Sequence, residues 1–130
     1  MKGNDKIIAT LNTLLASELG ARDQYFTHAE MYKDWGLEEL YKQSHHEMEE
    51  ETEHATRLIQ RILFLEGTPD LSKPDPLNIG TDVPSMLRSD LELEYAVVKA
   101  LKAAIAECEA AQDYQTREIL EVLLDDTEED

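Results

Sequence analysis

Glu51 and His54 stand three residues apart in a run whose apolar spacing is helical. A helix carries positions i and i+3 on one face, so this carboxylate and this imidazole can grip one metal ion together. Both interrupt a stripe that otherwise predicts core, because Glu51, His54, Leu58, Ile62 and Leu65 recur at intervals of three and four. Carboxylates are almost never fully buried unless they are paired or bound to a cation, since uncompensated desolvation costs several kcal/mol or more. Two further carboxylates fall in apolar stripes. Glu18 stands at sevenfold spacing with Leu11, Tyr25 and Tyr32, beside Leu14 and Leu15. Glu94 belongs to the run Leu87, Leu91, Val98, Leu101, Ile105 and Cys108, and Leu120 and Leu124 lead to Glu128.

One Glu from each of two helices, with a Glu-x-x-His from each of the other two, is the pattern of di-iron carboxylate bundles. In that pattern Glu18 and His54 hold one iron, Glu51 and Glu128 bridge, and Glu94 holds the second. Hard carboxylate oxygens suit Fe(II) and stabilise Fe(III), and imidazole completes each coordination sphere. A last His is expected three positions after Glu128, one residue past Asp130, so the fourth segment reads as an incomplete helix. Tyr25, one heptad after Glu18, lies close enough to donate a hydrogen bond or an electron, and it reads equally as a core aromatic. The alternative for the whole set is a satisfied buried polar network without metal.

The elements that must position these groups are legible as four helical segments, roughly 4–34, 38–66, 83–111 and 114 onward, in an all-α chain. Gly36 after Trp35 suits a left-handed helix end, and so short a turn returns the second helix antiparallel to the first. Between 68 and 81 the periodicity stops, and Pro69, Pro74, Pro76 and Gly80 mark a connection. Extended at about 3.3 Å per residue it reaches roughly 50 Å, longer than a 28-residue helix at about 1.5 Å per residue. Asp82 with Pro84, and Asp113, are the expected starts of the third and fourth helices. Two antiparallel hairpins joined by one long crossover form a four-helix bundle.

Composition narrows the partners. The 130 residues fit one domain, 1–130, and 42% hydrophobic content suffices for a bundle core without suggesting a membrane span. A net charge of −17 argues against nucleic acid and anionic membranes, and an acidic surface concentrates cations. The single cysteine, Cys108, excludes an intramolecular disulfide framework and fits a reducing compartment, where it reads as a small core residue.

The stretches Met1-Lys2-Gly3, Gln24-Tyr25-Phe26 through His28, Trp35-Gly36-Leu37, Arg61 through Gly67 and Met86 through Leu91 resemble bacterioferritin, and the resemblance covers the whole chain. It implies a ferritin-like bundle and an iron-storing ferroxidase in a cytoplasmic homo-oligomeric cage of 24 subunits. Its ligands carry over onto Glu18, Glu51, His54 and Glu94 directly, and onto Glu128 with a one-residue insertion upstream. His46 and Glu50 match an inner-surface iron site, with Glu50 for the more usual Asp. Trp35 resembles a position near a redox region and reads as packing. Where the family carries a haem-ligating Met, this chain has Thr52, and a hydroxyl is a poor ligand for haem iron. Met48, one turn earlier on the same face, is the candidate substitute haem ligand, and a Met in such a place reads more readily as interface packing. The resemblance further implies a ferredoxin-type reductant for iron release. Two rival readings stand beside it: a structural cage subunit that co-assembles with a haem-bearing subunit, and a small di-iron peroxidase or oxidase without storage.

Overall fold

A computed structural model describes residues 2–129 and places four helices: α1 Asp5–Asp34, α2 Glu38–Phe64, α3 Val83–Ala110 and α4 Tyr114–Glu129. Each starts or stops where backbone groups find a partner. Asn4 caps α1 by accepting from the Lys6 amide. Asp82 and Ser85 form a reciprocal capping box at α3 with Pro84 in its first turn, and Asp113 accepts from Thr116 at the start of α4. After α1 the chain reverses through Gly36, whose φ of 75° is the left-handed conformation that costs glycine nothing. The Leu37 amide then closes the turn on the Tyr32 carbonyl at 2.9 Å.

α1 and α2 run antiparallel: Gly3 donates to the Leu65 carbonyl at one end, and Ser44 donates to the Tyr25 carbonyl near the other. The crossover runs along α1, stapled at regular intervals. Asn12 meets Thr68 and Asp70, Ser17 meets Asp75, the Asn78 amide donates to Gln24, and the Gly80 amide donates to His28 Nε2. The strap therefore delivers α3 to the far end of the bundle, where Asp90 accepts from Gln24 and lies 3.0 Å from His28 Nδ1. α3 then returns along α1, and Arg61 reaches Thr116 to tie α2 to the start of α4.

The strap leaves no room for a side chain at its end. A Cβ on Gly80 would sit 2.5 Å from the Met86 amide nitrogen. Gly80→Ala is accordingly expected to destabilise the chain by about 1–3 kcal/mol, the ordinary cost of overpacking, seen as a lower urea midpoint with an unchanged slope. An unchanged midpoint would show that the strap end yields freely.

The apolar core lies in one half of the bundle, built from Ile7, Leu11, Leu14 and Leu15 of α1, Leu58 and Ile62 of α2, Leu101 and Cys108 of α3, and Leu120 and Leu123 of α4. Leu87 and Leu91, expected in the α3 seam, are instead 49% and 52% exposed. The buried register of α3 is Met86, Val97, Leu101, Ala104 and Cys108. Among the described residues the first turns of α3 face a groove, a cavity of about 190 Å³ whose lining includes Tyr25, Leu40, Leu87 and Glu94. No helix among the described residues is long and apolar enough to cross a membrane.

Candidate metal centre

Where the apolar core gives way to this groove, α1 and α2 bring three ionisable side chains together. Glu18, Glu51 and His54 are 0%, 2% and 1% exposed, held in place by the Leu11, Leu15 and Leu58 packing one to two turns away. His54 Nδ1 lies 2.8 Å from Glu18 Oε2 and 3.9 Å from Glu51 Oε2. One donor atom from each of the three falls within 4.8 Å of the others. Two donors on opposite sides of an ion with bonds of about 2.1 Å lie about 4.2 Å apart, near the 3.9 Å between His54 and Glu51, whereas the 2.8 Å between His54 and Glu18 is a direct hydrogen bond that a cation would replace.

The electrostatics ask for such a cation. Two carboxylates at this separation repel by roughly 3–4 kcal/mol even at an effective dielectric of 20. Among the described residues no lysine or arginine pairs with Glu18 or Glu51, and the Oε1 of Glu18 and Oε2 of Glu51 are buried without a hydrogen-bond partner. Burial first, then the charge of Glu18 and its hydrogen bond with Glu51, then the charges of Glu94 and Glu47, push the Glu51 carboxyl far above the usual carboxylate range. Burial alone would lower the His54 imidazole. The hydrogen bond and charge of Glu18, followed by those of Asp126, outweigh it and raise the imidazole above its ordinary value.

Glu94 of α3 is part-buried at the groove side of this cluster and accepts a short hydrogen bond from the Tyr25 hydroxyl. Burial, then Glu94, pushes the Tyr25 phenol far up, so Tyr25 stays a protonated donor. Glu18, Glu51 and His54 thus form one cluster, and Glu94, bonded to Tyr25, acts on Glu51 through its charge.

α4 behaves differently. An uninterrupted helix through Leu120 and Leu123 turns Thr127 inward, where it is 5% exposed and its hydroxyl donates to the Leu123 carbonyl. One residue further is about 100° around the helix, so Glu128 points outward and lies 3.7 Å from Lys102. The expected bridging position of Glu128 is therefore corrected: the structure does not bring it to the cluster. What α4 does bring is Asp126, whose Oδ2 lies 3.1 Å from His54 Nε2. The sequence pattern does not single out Asp126, because a stripe through Leu120 and Leu124 points to Glu128, whereas the buried face runs through Leu123 and Thr127.

The remaining residues lie outside this cluster. His46 is exposed and sits 3.6 Å from Glu50, which also approaches His54 and Asp126. Met48 is part-buried, and the exposed Thr52 donates its hydroxyl to the Met48 carbonyl at 2.9 Å. Trp35 is 43% exposed and packs edge-on against Tyr32. Cys108 is buried, and that burial, reinforced by Asp113 and Glu107, pushes its thiol up to about 11, as for an inert core residue.

A crossover four-helix bundle with buried glutamates and a histidine at mid-height defines a carboxylate-type metal-binding bundle. Comparison with known proteins agrees. The model of the ferritin-like domain matches residues 8–130. A bacterial ferritin of Synechocystis is 58% identical over 130 residues, covering all of this chain and 83% of the relative. A bacterial ferritin of Pseudomonas aeruginosa is 55% identical, covering all of this chain and 84% of the relative. A bacterioferritin of Brucella melitensis is 41% identical over 128 residues, 98% of this chain and 80% of the relative. The chain belongs to the ferritin family and, with it, to the iron-storage proteins.

Proposed function

We propose that this chain oxidises Fe(II) to Fe(III) at Glu18, Glu51, His54 and Glu94 and passes the product to a mineral held inside a cage of its own copies. The observation that carries the reading is the buried cluster of Glu18, Glu51 and His54, in which Glu18 Oε1 and Glu51 Oε2 have no hydrogen-bond partner. Buried anionic oxygens without donors are costly unless a cation or a proton joins them. Fe(II) entering as substrate replaces the proton held by Glu51, and Glu18 and His54 complete its grip. Glu94, steadied by the Tyr25 hydroxyl, offers the next carboxylate to a second ferrous ion, with Glu51 between the two positions. Two ferrous ions lose one electron each, and together these reduce one O2 to hydrogen peroxide with two protons from water, or one peroxide to water.

In this reading the acidic surface that gives the chain its charge of −17 draws Fe(II) toward the protein. The cage, of 24 subunits by family resemblance, is cytoplasmic and takes electrons from a ferredoxin-type reductant for release. Haem has no place at residue 52, where a hydroxyl engaged with its own helix replaces the thioether. A haem-bearing partner subunit would supply it.

Stopped-flow absorbance in the ferric region, after mixing with two Fe(II) per subunit in air, tests the oxidation. Fast colour that saturates at two irons per subunit is expected. The outward position of Glu128 favours one rival, a structural subunit that depends on a partner for oxidation. That rival predicts a rate no faster than buffer, restored on co-assembly, and such a result would overturn the reading.

A further inference from the structure

The His54 ring is held from both edges. Its Nδ1 lies 2.8 Å from Glu18 Oε2 and its Nε2 lies 3.1 Å from Asp126 Oδ2. The two sides are unlike. On the Nδ1 side Glu18 and Glu51 are fully buried, and Glu18 Oε1 and Glu51 Oε2 lack partners, so this side holds the buried oxygens open to a cation. Beyond Nε2 the Asp126 carboxylate is 42% exposed, with one oxygen turned to the ring, and the part-buried Glu50 lies within reach of both, so the donors on this side are open to solvent rather than buried. An imidazole that gives one nitrogen to a metal carries its proton on the other, and the acceptor of that N–H fixes both the tautomer and the plane of the ring.

We infer that Asp126 is the positioning residue of the metal centre: it accepts the Nε2–H of His54 and so presents the Nδ1 lone pair to a cation held between Glu18 and Glu51. This rests on the proposed reading of those three residues as metal ligands. It gives α4 a part that the ligand pattern did not contain, because the helix reaches the centre from behind the histidine. A carboxylate in that place also strengthens the imidazole as a donor, since its charge favours the polarised N–H. Asparagine at 126 could still accept through its amide oxygen but without the charge, and alanine removes the acceptor altogether. Neither substitution disturbs the core face of α4, which is carried by Leu120, Leu123 and Thr127.

Zn(II), a redox-inert stand-in for Fe(II), can be titrated calorimetrically into the full chain and into Asp126→Asn, Asp126→Ala, Glu18→Ala and His54→Ala. The 15N resonances of the His54 ring are read in the zinc-loaded protein. The expected result is zinc on Nδ1 and a slowly exchanging proton on Nε2, with the His54-dependent affinity falling about 10–100-fold in the Asp126 variants, alanine more than asparagine. Two results would overturn the inference while leaving the metal centre standing. One is wild-type affinity and an unchanged Nε2 proton in both Asp126 variants, while Glu18→Ala and His54→Ala lose the site. The other is zinc on Nε2 in the wild-type chain. If Glu18→Ala and His54→Ala bind zinc as the wild type does, the metal-centre reading itself fails, and the role of Asp126 with it.

Discussion

Replacing Glu18 and His54 together by alanine is expected to slow Fe(II) oxidation at least about 100-fold while leaving the helices intact. The magnitude follows from a lower bound: disturbing a residue behind a metal ligand already costs about 10–100-fold in affinity or activity, and here two ligands themselves are removed. The helices survive because neither residue contributes to the apolar core. That core is carried by Leu11, Leu14, Leu15, Leu58 and Ile62 on the same two helices. The substitution removes both partners of the buried Glu18–His54 contact together, so neither is left facing an absent partner, and the void costs stability without unmaking the helices. Circular dichroism should show unchanged helicity beside stopped-flow traces no faster than free Fe(II) in buffer. Oxidation at the wild-type rate in a folded double variant would place the chemistry elsewhere in the molecule.

The difference between what the sequence disclosed and what it concealed lies in how periodicity meets context. Glu18, Glu51 and His54 were legible because each breaks an apolar stripe that is buried along its whole length, and α1 and α2 cover each other from end to end. The helix ends at Gly36, Asp82 and Asp113 were legible because local chemistry decides them: a left-handed φ, a capping box and a side-chain cap. The crossover was legible from the reach of its extended chain, and its staples to Asn12, Gln24 and His28 were not, since they join residues more than fifty apart. On α3 and α4 the apolar residues outnumber the buried places. Leu87 and Leu91 satisfy a helical spacing that Val97, Leu101 and Ala104 satisfy as well, and only packing chooses between the registers. On α4 the choice of Leu123 over Leu124 turns the helix by one residue. That small rotation exchanges Glu128 for Thr127 at the core and brings Asp126 to His54.

The second large effect concerns stability, and it runs opposite to ordinary core mutations: Glu51→Gln should stabilise the metal-free protein and abolish its stabilisation by metal. Glu51 holds its proton in the folded chain at pH values where the unfolded chain has released it, for reasons of burial and neighbouring charge. A raised folded-state value means that its favourable contribution is complete below pH 4.5 and is lost as pH climbs from there toward that value. The raised His54 imidazole acts in the same sense above its ordinary 6.5. Keeping a proton at pH 8 that an ordinary carboxyl loses near 4.5 costs up to about 5 kcal/mol, at 1.36 kcal/mol per pH step. Glutamine supplies the neutral group covalently and is relieved of most of that cost, so the apo melting temperature at pH 8 should rise by several degrees, with a smaller gain at pH 5. A cation works the other way, because it replaces the protons on Glu51 and on His54 and its binding must strengthen as pH rises. For the wild type, the zinc-induced rise in melting temperature should therefore grow from pH 6 to pH 8, while Glu51→Gln shows almost none at either. If Glu51→Gln instead melts lower than wild type at pH 8 without metal, the buried carboxylate is satisfied within the protein, and the strain that favours a cation at this centre does not exist.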